Sequence, residues 1–328
     1  MNMSTFRVNK ETPILIIGAG SIGERHIRNL WQLGQRNLIV LRQRKLPLRN
    51  IGDAQIKVVT TWEEVDKYSP KVAFVCTITK LHLKEVVNCV NRDIHTFVEK
   101  PLSHTTEGLS ALERSLSEHP VYLNVGYMMR FHPYIQRIRE YISDKTFGNV
   151  ITIQSKWAEY LPDWHPWEDY RTGYAALKEL GGGVGLTLSH DIDQIFYLMD
   201  SMPNQYFVMP NYKSTLEVNV EAGMDILMKF ADGTTANLHL NYFERVKERF
   251  LKVVFDEATV EFQFFDSTLT IRKSGSEDVI EQLDHFDRND LFIDEARYFL
   301  EHLSNYKMEE VSNQIETSRK IIEICNNE

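Results

Sequence analysis

Ile14-Leu15-Ile16-Ile17-Gly18-Ala19-Gly20-Ser21-Ile22-Gly23 and the following Glu24-Arg25-His26-Ile27-Arg28-Asn29-Leu30-Trp31 decide how the chain is read. Four apolar residues predict a buried strand. Glycines spaced G-x-G-x-x-G break it, and Ile27, Leu30 and Trp31 then recur at helical spacing. Strand, tight turn and helix in that order are the context in which this glycine spacing binds a dinucleotide. Gly18 permits the turn, Gly20 lets a pyrophosphate approach the backbone, and Gly23 lets helix and strand pack closely. The helix start at Ser21, Ile22 and Gly23 offers unpaired N–H groups to the phosphate.

Composition narrows the field. A chain of 328 residues suits two domains, and 43% hydrophobic with 25% charged residues is ordinary globular composition. Lys plus Arg number 37 against 46 Asp plus Glu, so the formal charge of −9 argues against nucleic acid as the main partner. Three cysteines, Cys76, Cys89 and Cys325, form neither a disulfide framework nor a zinc motif and suit a reducing cytosol. Residues Met1 to Phe6 lack the apolar centre of a signal peptide, and no apolar run reaches the roughly 18 residues of a membrane span. The expectation is a cytoplasmic protein.

Downstream of the glycines, strands and helices alternate. Asn37-Leu38-Ile39-Val40-Leu41, Lys57-Val58-Val59-Thr60, Val72-Ala73-Phe74-Val75-Cys76, His95-Thr96-Phe97-Val98 and Val121 to Tyr127 read as strands. That alternation predicts a doubly wound parallel sheet, in which ligands bind at the carboxyl ends of the strands. The glycine loop, Thr77 to His82, and Glu99-Lys100-Pro101 all fall at such ends. After the second strand, where an acid would bind the ribose 2′-hydroxyl of NAD, the chain reads Arg42-Gln43-Arg44-Lys45. This basic set favours the 2′-phosphate of NADP over NAD, or else forms a solvated loop. Pro101 biases Lys100 toward extended backbone, and an ammonium beside a nicotinamide stabilises negative charge on a reacting oxygen.

The second half has a different pattern. Arg130 and His132 suit either contact with cofactor or substrate, or packing at a helix start. Asn149 to Trp157 alternates as a half-buried strand. Glu159 to Arg171, with Trp164, Tyr170 and Arg171, is too aromatic and proline-rich for a helix. It reads equally as a substrate-covering loop or a packed structural one. Gly181-Gly182-Gly183 opens a buried helical segment that carries His190. Strands follow from Tyr206 to Arg272, with Asp232-Gly233 as a hairpin turn, and two helices close the chain at Leu291–His302 and Ser312–Cys325. The histidines are scattered without the short spacings of a zinc site, so no metal is expected.

Gly18-Ala19-Gly20-Ser21-Ile22-Gly23 with Arg25-His26, Thr77…Thr79…His82, Glu99-Lys100-Pro101 and Gly126-Tyr127…Arg130-Phe131-His132-Pro133 together resemble the Gfo/Idh/MocA oxidoreductases. The resemblance implies an α/β fold: an N-terminal Rossmann dinucleotide-binding domain, residues 1–126, and a C-terminal domain, residues 127–328, with a large, mostly antiparallel sheet for substrate binding and oligomerisation. It implies Lys100 and His190 as catalytic residues. Cofactor contacts are expected from Gly18, Gly20, Ser21, Ile22, Gly23, Arg42, Arg44, Thr77, Thr79, His82, Glu99, Lys100 and Arg130. Substrate contacts are expected from Lys100, Tyr127, Trp164, Tyr170, Arg171, Thr187 and His190. Many relatives carry Asp three or four residues before the histidine; Leu186 and Thr187 stand there in this chain. The implied activity is hydride transfer, with NADP or NAD, at a carbinol or carbonyl carbon of a sugar or nucleotide-sugar, in a homo-oligomer (dimer or tetramer). Alternatives within the resemblance are a non-catalytic NAD(P)-binding regulator and NAD-dependent glycosidase or epimerase chemistry.

Overall fold

The computed structural model describes residues 6–43, 48, 51 and 56–327. The chain divides into two compact units. One comprises residues up to Met128 together with Arg288–Arg319, the other Met129–Asp287 together with the residues from Lys320. The division at residue 126 read from the sequence follows chain order, whereas the units do not, because a later segment packs with the first unit.

Among the described residues of the first unit, six strands form one parallel sheet: β1 (Ile14–Ile17), β2 (Leu38–Leu41), β3 (Lys57–Val59), β4 (Val72–Val75), β5 (His95–Glu99) and β6 (Leu123–Gly126). The order is β3-β2-β1-β4-β5-β6, so β1 is central and the strand order reverses beside it. Ile14 pairs with both Leu38 and Val72. Every residue of β1, β2 and β4 is buried, as expected for a parallel sheet covered on both faces. The connecting helices are α1 (Ser21–Gln32), α2 (Trp62–Asp66), α3 (Thr79–Val90) and α4 (Leu109–Glu118). α4 has no counterpart in the sequence reading; its Leu109, Leu112 and Leu116 are the face it buries.

The returning segment carries α8 (Arg288–His302) and most of α9 (Met308–Asn326). α8 packs on α1. Phe299 meets Phe74 edge-on at 5.5 Å and stacks on Tyr122 at 5.6 Å. Gln314 accepts the Val125 N–H at 2.8 Å and donates to Asn124 Oδ1. A core aromatic cluster of this unit is thus completed from residues far along the chain.

In the second unit, α5 (Pro133–Ser143), α6 (Val184–Thr187) and α7 (His190–Met199) accompany an eight-stranded sheet. Its strands are β7 (Val150–Ala158), β8 (Gln205–Asn211), β9 (Gly223–Lys229), β10 (Thr235–Asn241), β11 (Glu248–Phe255), β12 (Thr259–Gln263), β13 (Thr268–Arg272) and β14 (Val279–Gln282), in the order β14-β13-β12-β11-β7-β10-β9-β8. Every neighbouring pair is antiparallel except β7 with β10. Burial alternates along β10 and β11, which is the signature of a sheet with one covered face. α5 packs against α7, and α7 against β7 and β10.

Candidate functional site

In the first unit the glycine loop divides by what a side chain would meet. A Cβ on Gly18 would lie 2.8 Å from the Cys76 carbonyl oxygen, at φ +90°, and one on Gly23 would lie 2.1 Å from the Gly18 oxygen. A Cβ on Gly20 would meet nothing within 4 Å. Two glycines are therefore required by the protein's own packing. The third leaves its space open to an outside group. α1 starts at Ser21 with Gly20 as its cap, and among the described residues no cap side chain satisfies its first N–H groups. Ser21 is exposed and Ile22 half-buried, so this helix end is accessible to an anion.

Thr77 follows β4, and its methyl would be 3.1 Å from a Gly18 Cβ. Its hydroxyl is buried without a hydrogen-bond partner among the described residues. An open backbone approach, a bare helix N-terminus and an orphaned hydroxyl at one sheet edge fit the dinucleotide that the glycine spacing implies. Arg42 ends the second strand's run, with its N–H bonded to the Val59 oxygen. Arg44 and Lys45 lie outside the described residues.

The ends of β4 and β5 are tied together by histidines. Thr79 begins α3 and is buried. His82, 2% exposed, has Nδ1 2.7 Å from the Pro101 oxygen and Nε2 2.9 Å from the Thr77 oxygen. Burial pushes its pKa below the ordinary value, against the pull of the two carbonyls and of Glu99. Glu99 is the last residue of β5, and its Oε1 accepts from His26 Nε2 at 2.7 Å. Burial alone would raise the Glu99 carboxyl. The His26 hydrogen bond and the charges of His26, Lys100 and His82 outweigh it and hold the group below the usual range. Lys100 follows, half-buried, joined to Pro101 by a cis peptide. Tyr127, just past β6, is buried.

In the second unit His190 is the first residue of α7 and is 6% exposed, its ring 6.2 Å from that of Trp157. The glycine-rich approach is needed here: Gly183 has φ +115°, and a Cβ on it would strike the Glu221 carboxylate at 2.4 Å. Glu221 Oε1 accepts the Gly185 N–H at 3.1 Å, capping α6. Thr187 is buried, and the nearby Tyr242 hydroxyl donates to the Gly183 oxygen at 2.9 Å. The acids nearest His190 in sequence are committed elsewhere. Asp191 accepts from Arg249 Nη2 at 2.6 Å and from Ser155 Oγ at 3.0 Å. Asp193 holds Arg130 in a two-pronged pair, Nε to Oδ2 at 2.9 Å and Nη2 to Oδ1 at 2.5 Å.

Arg130 therefore serves an ion pair inside the second unit. His132 is fully buried and accepts the Tyr134 N–H at the start of α5, which is the helix-start role of the two readings. The Glu159–Arg171 stretch folds as short 3₁₀ turns. Trp164 packs edge-on against Tyr242 at 5.5 Å, Tyr170 Oη accepts the Glu217 N–H, and the exposed Arg171 pairs with Asp169 and Glu217. The sequence reading assigned no role to Asp191, Arg249, Glu221 or Tyr242, whose partners lie tens of residues away in the chain. Among the described residues no group of three or more His, Cys, Asp or Glu could hold a metal, and no helix is long and apolar enough to cross a membrane.

Comparison with known proteins agrees with this geometry. Residues 13–127 match the model of an oxidoreductase family with an NAD-binding Rossmann fold, and residues 135–261 match the C-terminal domain model of the same family. The uncharacterized oxidoreductase YrbE of Bacillus subtilis is 27% identical over 203 residues, covering 57% of this chain and 53% of YrbE. The chain thus spans about half the length of that relative. Levoglucosan dehydrogenase in complex with NADH superposes with a TM-score of 0.78 at 14% identity, covering 96% of this chain and 97% of that one. UDP-N-acetylglucosamine 3-dehydrogenase GnnA from Acidithiobacillus ferrooxidans gives 0.74 at 16% identity, covering 97% and 96%. These structural likenesses establish the fold.

Proposed function

The chain belongs to the Gfo/Idh/MocA oxidoreductase family, and we propose that it is an enzyme moving hydride at a carbinol or carbonyl carbon of a sugar or nucleotide-sugar, in the cytoplasm and in bacterial surface-glycan metabolism. NAD(P) is its cofactor. The observation that carries the reading is the open backbone at Gly20 with the unpartnered Thr77 hydroxyl, at strand ends that also bear Glu99 and Lys100. The substrate class is supported by the names of the structural relatives, which are dehydrogenases of levoglucosan and of a UDP-sugar.

When bound, NAD(P) supplies the hydride acceptor or donor. Residues 1–126 hold it and residues 127–328 hold the sugar. The Lys100 ammonium donates a hydrogen bond to the substrate oxygen and stabilises charge there. His190 takes or returns the hydroxyl proton. It does so without an orienting carboxylate at Leu186 or Thr187, while Asp191 and Asp193 are held by Arg249 and Arg130. The exposed Phe207, Met209 and Leu227 on β8 and β9 support a homo-oligomer, because apolar side chains grouped on a sheet mark a partner surface.

Lys100→Met tests the reading. Turnover of NAD(P)⁺ with a panel of sugars and nucleotide-sugars is expected to fall at least about 100-fold, while dinucleotide affinity stays within about twofold. Unchanged turnover removes Lys100 from the chemistry. Loss of dinucleotide binding moves it to the cofactor. The regulator reading is favoured by Thr187, which stands where many relatives carry Asp and offers no carboxylate. It requires tight dinucleotide binding by the wild type and no cofactor reduction on any sugar. Cofactor that co-purifies and is never released reduced points instead to glycosidase or epimerase chemistry.

A further inference from the structure

The two chain neighbours of Lys100 are each held by a buried histidine, and the two histidines come from different helices. Before it, Glu99 receives the His26 Nε2 hydrogen bond at 2.7 Å. His26 comes from α1, 73 residues away, and is fully buried against Phe97 at 5.2 Å, Phe74 at 5.4 Å and Phe292 at 6.2 Å. After it, the Pro101 oxygen receives the His82 Nδ1 contact at 2.7 Å, and His82 comes from α3. The other nitrogen of His82 reaches the oxygen of Thr77, whose hydroxyl is the orphaned group beside the glycine loop.

We propose that His26 and His82 form a clamp that fixes the Glu99 side chain before Lys100 and the Pro101 backbone after it and ties this segment to the dinucleotide loops, making both histidines positioning residues for Lys100. The proposal rests on the functional reading of Lys100 given above. Three physical points support it. Both rings are buried, so the hydrogen bonds compete with little water and hold tightly. α1 is the helix whose N-terminus would hold the pyrophosphate, so a contact from the third residue past Gly23 transmits the position of that helix to β5. α3 starts beside Thr77, and the His82 ring sits between the carbonyl oxygens at the β4 end and the β5 end, its single N–H donating to one of them. A catalytic group displaced by about 1 Å loses on the order of 100-fold in rate, which is what rigid flanking contacts prevent.

The test uses the full-length chain with lysines dimethylated by ¹³C-formaldehyde. The Lys100 methyl signal is identified as the one missing from Lys100→Arg. His82→Phe and His26→Phe are each expected to move or broaden that signal and to lower kcat by about 10-fold to 100-fold, with dinucleotide affinity within about twofold in His26→Phe. His82→Gln, which keeps one donor, is expected to restore most of the rate and the signal. A Lys100 signal unmoved in both folded phenylalanine variants overturns the clamp. If either phenylalanine variant does not fold, His82→Gln and Glu99→Gln are compared instead: an unmoved signal in Glu99→Gln overturns the His26 arm, and equal loss in His82→Gln and His82→Ala overturns the His82 arm. A moved signal in a protein that turns over no sugar keeps the clamp and removes the functional reading. Normal sugar turnover with an unmoved signal does the reverse.

Discussion

Arg249 on β11 reaches Asp191 on α7 with Nη2 2.6 Å from Oδ2, both side chains at most 3% exposed, and its guanidinium lies 3.7 Å from the Trp157 ring centroid. Burial raises the Asp191 carboxyl more than Arg249 and Ser155 lower it, so desolvation outweighs the pairing. Removing one partner strands the other charge in the core. Asp191→Asn or Arg249→Met is therefore expected to lose about 3–5 kcal/mol in urea unfolding. The double variant Asp191→Leu with Arg249→Met is expected to lose far less than the sum. Additive losses would show that the two residues are not energetically coupled and that neither single variant strands a charge.

The glycine loop separates folding from binding. Gly23→Ala forces a methyl to 2.1 Å from a backbone oxygen and is expected to destabilise the protein by about 3 kcal/mol. Gly20→Ala meets open space at φ −78°, so its stability should stay within about 0.5 kcal/mol. Its NAD(P) affinity should nevertheless fall at least about tenfold, since the methyl fills the approach of the pyrophosphate. Thermal unfolding and fluorescence titration of the two variants check both halves. Intact affinity in Gly20→Ala would put the pyrophosphate elsewhere.

Cofactor choice is read at Arg42. If its guanidinium meets a 2′-phosphate, Arg42→Ala should weaken NADPH by about 10-fold to 100-fold and leave NADH within about twofold. Paired titration of wild type and variant measures this. Equal loss for both nucleotides, or for neither, leaves the ribose end to other residues.

One buried and one half-buried histidine set an acid limit. His132 is pushed down to about 3 and His95 to about 4, in both cases chiefly by burial. Each ring is neutral when folded and gains a proton on unfolding once the pH is below about 6.5. Their contribution is therefore fully present above pH 6.5 and is lost as pH falls toward 4 and then 3, by up to about 1.4 kcal/mol per pH unit for each group. His132→Asn keeps an acceptor for the Tyr134 N–H and does not titrate. Its unfolding midpoint should fall less steeply between pH 6 and 4 than that of the wild type. A parallel slope would show that His132 is charged in the folded state.

The first unit was legible because its signals are local. Glycine spacing, four-residue apolar runs and the polar residues just after them fall within a few residues of one another, and β1, β4 and β5 lie where those runs stand. What escaped was everything made by distant pairing. The His26–Glu99 bond spans 73 positions, and Asn29 meets Asn289 across 260. The parallel contact of β7 with β10 is a matter of register, which alternation along a single strand does not encode. β14, Val-Ile-Glu-Gln, is exposed along nearly its whole length and has no apolar face to betray it. His132 stood open between a binding and a packing role until the rings of Phe262 and Phe286, at 4.5 and 4.8 Å, came from elsewhere in the chain.

The return of Arg288–Arg319 to the first unit sets an order of events during synthesis. A ribosome that has released residues 1–128 has emitted all six parallel strands, yet the chain still lacks Phe299 to cover Phe74 and Tyr122 and Gln314 to occupy the Val125 amide. The nascent nucleotide-binding half must therefore wait, with an uncovered aromatic patch, while the whole second sheet is translated. A chain cut after residue 128 would carry all six parallel strands without the ring and amide partners that complete their packing.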